Sequence, residues 1–249
     1  MIKVSFLHHH LIVMADIIGQ ALLDYHSGSY TEDIKTYSSL GEEDHMPLPY
    51  LFRSFDEMPL LEQKALELCN GKVLDIGCGA GNHVLYLQSK GYDVSGLDES
   101  KGAIAVCKKR GIKTTILSAI LDFDDAKFDT ILLLMNGIGL AGKLENIDRF
   151  LQHLKSLLRP NGQILLDSSD IIYMFDQDDD GGYWIPNNSN YYGEVSFQME
   201  YKSRKSLPFP WLYLDFNTLK NACEAHNMTC EIVISGEHFD YLAKLSIKE

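Results

Sequence analysis

From residue 72 onward the chain alternates short apolar runs with stretches whose apolar residues recur every three or four positions. That alternation is expected of β-α units stacked into a parallel sheet. The runs predict strands over 72–76, 93–97, 114–117, 130–135 and 163–167, with helices over 82–90, 101–110 and 144–158. Each helix is followed by a stop signal: Gly91, Gly111 and the Pro160-Asn161-Gly162 turn. After Asp170 the rhythm breaks. Residues 176–193 are acidic, glycine-rich and aromatic and read as a loop, followed by strands over 194–201 and 211–215. A helix over 217–226 and closing strands over 229–234 and 241–247 complete the pattern. The expected fold class is α/β, a doubly wound, seven-stranded, mostly parallel sheet with an antiparallel last strand. Residues 1–68 are expected to form an N-terminal extension and helical cap, with Pro47, Pro49, Pro59 and a helix near 60–68. Residues 69–249 would be the main domain, with a β insertion at about 171–215 after the fifth strand.

Composition narrows the partners. The 249 residues suit one domain with decorations, and 45% hydrophobic content is ordinary for a globular chain. With 35 acidic against 22 basic side chains the net charge is −13, which repels a phosphate backbone, so no nucleic acid partner is expected. The densest basic run, Lys108-Lys109-Arg110, reads as the solvated last turn of a helix. Five cysteines without CxxC spacing indicate neither a disulfide framework nor a zinc site and fit a reducing compartment. The apolar start is interrupted by His8, His9 and His10 and lacks a cleavage site, so it does not read as a signal peptide. Met14 is an alternative start that would leave those histidines as a chance cluster. No run reaches the ~20 apolar residues that cross a bilayer, and a cytoplasmic protein with no membrane partner is expected.

The strongest chemical signal is VLDIGCGAG at 73–81, where an apolar strand ends in an acid and opens through glycines into a helix. Gly77, Gly79 and Gly81 allow a tight turn and close backbone approach to a ligand. The dinucleotide fingerprint GxGxxG would require glycine where Asn82 stands, which removes the support for a nucleotide-dependent oxidoreductase. An acid on a glycine turn suits a cationic ligand better than a pyrophosphate, and Asp75 fits that need, the lesser alternative being that it only orients the turn. At the end of the next strand, Asp98 in GLDES can accept hydrogen bonds from two ribose hydroxyls, and Ser100 can cap the following helix.

These motifs resemble, in order and spacing over roughly 70–170, those of class I (Rossmann-like) S-adenosylmethionine-dependent methyltransferases. The resemblance implies S-adenosylmethionine as cofactor, held by Asp75, Gly77, Cys78, Gly79 and Gly81, with Asp98 at the ribose and Leu97 and Glu99 flanking the adenine. Where many members carry Asp-Ala for the adenine, Ser118 and Ala119 stand here, with Asp122 and Asp124 as alternatives. Asn136 and Gly137, at the tip of the fourth strand, would neighbour the methionine moiety. No Pro-Pro-aromatic follows Asn136, so base or amide nitrogen is not an expected acceptor.

Methyl transfer by in-line displacement needs proximity, orientation and dryness more than catalytic side chains, which leaves the acceptor site less legible than the cofactor site. Asp167 and Asp170, at the fifth strand's tip, are the weak catalytic candidates, each equally readable as a loop starter. The run beginning Asp176 opens like a calcium loop but has Asn187 at the twelfth position, so no metal is expected. Tyr183, Trp184, Tyr191 and Tyr192 would wall an acceptor pocket or pack the insertion. The expected function is methyl transfer to a small-molecule acceptor, neutral or cationic, enclosed by the loop and by Tyr25, Tyr30 and residues 46–50. The alternative is a binding protein on the same fold, a regulator or sensor without turnover.

Overall fold

The computed structural model describes residues 16–185 and 191–248. The expectations at His8 to His10, Met14 and Asn187 lie outside them. Six helices and twelve strands follow one another in the described residues. They are α1 (Ile17–His26), β1 (Ile34–Ser38), β2 (Glu43–Met46), α2 (Leu60–Glu67), β3 (Lys72–Ile76), α3 (Asn82–Ser89), β4 (Asp93–Asp98), α4 (Lys101–Lys109) and β5 (Thr115–Leu117). Next come β6 (Phe128–Leu133), α5 (Ile147–Ser156), β7 (Leu158–Ser169), β8 (Glu194–Tyr201), β9 (Arg204–Lys205), β10 (Phe209–Leu212), α6 (Phe216–Ala225), β11 (Met228–Ser235) and β12 (Asp240–Ile247).

The main sheet has seven strands in the order β11-β12-β7-β6-β3-β4-β5. All neighbours from β5 to β7 run parallel, and β12 lies antiparallel between β7 and β11, as the tail pattern anticipates. Strand order reverses between β3 and β6, which opens a crevice beyond the carboxyl ends of both, the usual ligand position in open α/β sheets. Both faces are covered, so β3 is buried from Val73 to Ile76 and reads as a continuous apolar run. Leu74, Ile131, Leu133 and Ile164 pack with Phe150, Leu154 and Leu219 of α5 and α6. Val73, Leu132 and Leu165 pack on the opposite face with Leu61, Ala65, Val84 and Leu87 of α2 and α3.

Several boundaries move for local reasons. Strand β6 stops at Leu133 rather than 135 because Met135 and Asn136 both take left-handed backbone angles, φ 62° and 56°. Strand β7 starts at Leu158 and absorbs the Pro160-Asn161-Gly162 turn as an irregularity, its register against β6 shifting between Phe128 and Thr130. Strand β10 ends at Leu212 because Asp215 caps α6, accepting from Thr218 N at 3.0 Å.

The N-terminal segment departs most from expectation. Besides helices it contains the hairpin β1-β2, which joins the insertion in a second, antiparallel sheet of order β10-β8-β1-β2, with β9 on β8. Helix α1 packs on this sheet through Ile17, Ala21, Ile34 and Tyr201. Its other side meets α4 through Leu22, Ala103 and Val106. There the backbones approach so closely that a Cβ on Gly102 would lie 2.4 Å from the Gly19 backbone. Asp16 links the two helix starts, accepting from Gly19 N at 2.8 Å and Gly102 N at 2.9 Å.

In an open helix Gly→Ala stabilises by about 0.5–1 kcal/mol. At the α1–α4 crossing the sign should reverse. Gly102→Ala is expected to lower stability by about 1–3 kcal/mol through overpacking, read as a shifted urea midpoint. An unchanged or raised midpoint would contradict the crossing.

Candidate active site

Strand β3 delivers its glycine turn directly onto β4. Gly77 N and Cys78 N both donate to Leu97 O, at 2.8 and 3.1 Å, so the turn is anchored before it reaches the crevice. Gly77, Gly79 and Gly81 all have positive φ. Among the described residues a Cβ on Gly77 would meet only Leu140, at 3.8 Å, and one on Gly79 only Gly77 O, at 4.0 Å, which leaves space beside both that a ligand can use. Gly81 differs: a Cβ there would sit 2.2 Å from Ile112 Cδ1, so it serves helix packing. Cys78 turns its thiol into the core, 3.9 Å from the Cys107 sulfur, and offers only backbone to the crevice.

The Asp98 carboxylate lies at the tip of β4, its Oδ2 accepting from Gly79 N at 2.9 Å and its Oδ1 from Ser100 N at 2.8 Å. Burial pushes its pKa up, against those two bonds, so further hydroxyl donors would stabilise its charge. Each oxygen retains acceptor capacity for a ribose hydroxyl. Ser100 caps α4 as its position suggests, accepting from Ala103 N at 2.9 Å. Glu99 is exposed, and Ser118 Oγ donates to Ala119 O at 2.9 Å. Leu117, paired with Asp98 across β4 and β5 and half exposed, is an apolar platform beside them that the sequence pattern did not single out. Leu140 and Met135, each more than a third exposed, are two more apolar residues at this edge, Leu140 directly over Gly77.

Asn82 takes a part the glycine of a dinucleotide site could not. Its Nδ2 donates to Leu51 O at 2.8 Å and its Oδ1 accepts from Arg110 Nη1 at 2.6 Å, tying the N-terminal segment to the glycine turn. Arg110 is therefore not part of a solvated turn. It folds inward, donates to Ala80 O at 2.7 Å and lies 5.0 Å from the Phe52 ring centre, while Lys108 and Lys109 stay exposed.

Beneath the turn runs a buried chain of alternating charge that no sequence pattern announced. Arg53 donates to both oxygens of Glu62, His83 Nε2 sits 2.9 Å from Glu62 Oε2, and His83 Nδ1 sits 3.5 Å from Asp75 Oδ1. Asp75 is 1% exposed and, among the described residues, its Oδ2 has no hydrogen-bond partner, so this carboxylate lies behind the turn rather than lining the crevice openly. For His83, burial opposes the charged form, but Asp75 and Glu62 outweigh it and raise its pKa to about 9.

At the far end of the crevice the candidates separate. Asn136 N donates to Asp167 Oδ1 at 2.9 Å, while the Asn136 side chain is spent on Leu212 O and on the Ser168 hydroxyl, at 3.2 and 3.0 Å. Asn136 thus braces β6 against β10 and presents backbone, not its amide, beside the buried start of Gly137. Asp167 is enclosed yet still touches solvent, and burial pushes its pKa to about 7, against the bond from Asn136. Asp170 is fastened elsewhere, accepting from the Tyr192 hydroxyl at 2.8 Å and Ile172 N at 3.0 Å. Tyr191 likewise packs the insertion, donating to Asp215 at 2.7 Å, whereas Trp184 and Tyr183 remain exposed. The acidic run forms a tight turn: Gln177 pairs with Tyr183, Asp178 N donates to Gly182 O, and Asp178 accepts from the Trp184 indole. Asp122 and Asp124 are solvent-exposed.

This fold and crevice have known counterparts. Residues 73–162 match a family model described as a methyltransferase domain. A solved S-adenosylmethionine-dependent methyltransferase from Bacteroides fragilis, in complex with S-adenosyl-L-homocysteine, is 42% identical over 94% of this chain and 95% of its own, with a TM-score of 0.87. The chain belongs to the S-adenosylmethionine-dependent methyltransferases. The CcbJ methyltransferase of Streptomyces caelestis shares the fold at 12% identity and TM-score 0.60, over 78% of this chain and 95% of that one. A ubiquinone biosynthesis O-methyltransferase of Rickettsia conorii is 26% identical over 110 residues, 42% of this chain. That match spans 37% of the curated relative's length.

The His83 imidazolium makes stability depend on pH in a defined window. Its folded pKa of about 9 exceeds the unfolded value of 6.5, so its contribution is complete below 6.5 and is lost as pH rises through 9. Wild type should lose on the order of 3 kcal/mol across that interval through this group, and His83→Gln should show a flatter profile in urea unfolding. Parallel profiles for the two proteins would place the pH dependence elsewhere.

Proposed function

We propose that this protein transfers a methyl group from S-adenosylmethionine to a small-molecule acceptor held over the tips of β6 and β7. The observation that carries this reading is the crevice itself, with open glycine backbone at 77 and 79, Asp98 at one end and Asp167 at the other. Bound S-adenosylmethionine supplies a methyl carbon on a sulfonium, whose bond to sulfur breaks as the bond to the acceptor forms. Asp98 holds the ribose hydroxyls, Leu117 and Ser118 flank the adenine, and the Gly77 and Gly79 backbone receives the amino-acid end. Behind the turn, Asp75 contributes negative potential where the cofactor is cationic.

The acceptor side needs exclusion of water and one place for a proton. Residues 48–53 are tied to α2 and to the glycine turn through Arg53–Glu62 and Asn82–Leu51, and β10 of the second sheet reaches the β6 tip, where the Asn136 amide donates to Leu212 O. Asp167 takes the proton that the acceptor's nucleophilic atom gives up. Its pKa of about 7 suits a base working near neutrality. An enclosed site of this kind fits a small molecule, and the net charge of −13 disfavours nucleic acid. No helix among the described residues is long and apolar enough to cross a membrane. Five free cysteines, all buried, fit the reducing cytoplasm.

Two variants test the division of labour. Asp98→Ala should weaken S-adenosylmethionine and S-adenosylhomocysteine alike by about 1–3 kcal/mol in calorimetry, because both carry the ribose. Unchanged affinity in a folded Asp98→Ala protein would mean the ribose is held elsewhere. Asp167→Asn should leave cofactor affinity intact but lower kcat. In wild type kcat/KM should rise with pH through about 7 as Asp167 ionises, and the variant should lose that rise. A variant that keeps the wild-type profile would remove Asp167 from the proton's path.

A further inference from the structure

A groove of about 790 Å³ begins at Ser169, two residues beyond Asp167 and on the same face of β7. Three segments far apart in sequence build it: the β1-β2 turn with Glu42, the chain after β7 with Tyr173 and Asp176, and the insertion with Trp184, Phe197 and Tyr213. Its aromatic lining is dense, the Phe197 and Tyr213 rings lying 6.4 Å apart. Among the described residues that line it, two are carboxylates and none is Lys, Arg or His. The Tyr213 phenol is kept un-ionised by burial, with Tyr173 and Glu42 near enough to reinforce the effect.

We infer that this groove is the acceptor's binding site and that it selects a small molecule bearing a protonated amine beside an apolar or aromatic body. The inference rests on the methyl-transfer reading for its purpose and on the groove alone for its chemistry. A cation gains from the two carboxylates and from the negative faces of the aromatic rings. An anion would meet Glu42 and Asp176 with no positive side chain in the lining to compensate. The apolar faces of Phe197 and Trp184 then take up the rest of the molecule. Both sheets are needed for this: the main sheet brings Ser169 to the edge, and the pairing of β1 with β8 brings the Glu42 turn opposite it.

Three probes of equal size test the inference on the whole protein saturated with S-adenosylhomocysteine: benzylamine, benzyl alcohol and benzoate, titrated by NMR shift perturbation. Benzylamine should bind about tenfold more tightly than benzyl alcohol, and benzoate more weakly than either. Added salt should weaken only the amine. The double variant Glu42→Gln, Asp176→Asn, checked for an unchanged thermal midpoint, should bring benzylamine to the affinity of the alcohol. Phe197→Ala should weaken both amine and alcohol. Equal affinity for amine and alcohol in wild type, a preference for benzoate, or a double variant that still discriminates would overturn the inference. Failure of S-adenosylhomocysteine to bind at all would sink the methyl-transfer reading instead, and the amine preference measured without it would remain a separate result.

Discussion

The ion chain Arg53–Glu62–His83–Asp75 is the constraint on which the rest of the site depends. It joins the N-terminal segment, α2, α3 and β3 at a buried point directly behind the glycine turn. Charges so placed add little net stability compared with well-packed apolar side chains, but removing one partner strands another in low dielectric and costs about 3–5 kcal/mol. The chain therefore acts as a register. The segment from Tyr50 to Glu62 is seated one way, with the Arg53 guanidinium 3.9 Å from the Tyr50 ring centre. Once that segment is fixed, the preceding hairpin lies where β8 can pair with it, and β10 of the same sheet meets the β6 tip through Leu212 O and Asn136.

Backbone strain collects at the same edge. Met135 and Asn136 are consecutive non-glycine residues in the left-handed region, each costing on the order of 1–3 kcal/mol. Asn136 donates to Asp167 and Leu212 and accepts from the Ser168 hydroxyl, and these bonds hold that geometry. The result is a strand that ends at Leu133 and a following bend whose Asn136 N–H donates to the Asp167 carboxylate. Two acids thus mark the crevice's ends, both with pKa values raised by burial, one beside the glycine turn and one beside the bend. A cationic cofactor and a proton-releasing reaction both suit that electrostatic setting.

How far the sequence could be read follows from the range of the interactions. Elements between 72 and 170 were legible because buried parallel strands and amphipathic helices leave local patterns, as in Ile147, Phe150, Leu151 and Leu154 of α5. The hairpin was not legible. Strand β2 exposes Glu43, Asp44 and His45 and shows no alternation, and β1 owes its place to pairing with β8, as in Lys35 opposite Glu200. Glycine and acid spacing marked the glycine turn at the tip of β3, but Arg53, Glu62 and His83 looked like ordinary polar positions because their partners lie in other elements. Asn136 stood at the expected strand tip, yet its amide is engaged by residues beyond 160 that no local reading connects to it. The same limit applied to Arg110, whose partners Ala80 and Asn82 precede it by one β-α unit.

A structure of this protein with S-adenosylhomocysteine tests the central claim most directly, because it shows in one experiment where each end of the ligand rests. The account predicts ribose hydroxyls on the Asp98 carboxylate, the amino-acid end against Gly77 and Gly79, and sulfur facing the β6 and β7 tips near Asp167. Density for the ligand outside that crevice, or a ribose turned away from Asp98, would contradict it.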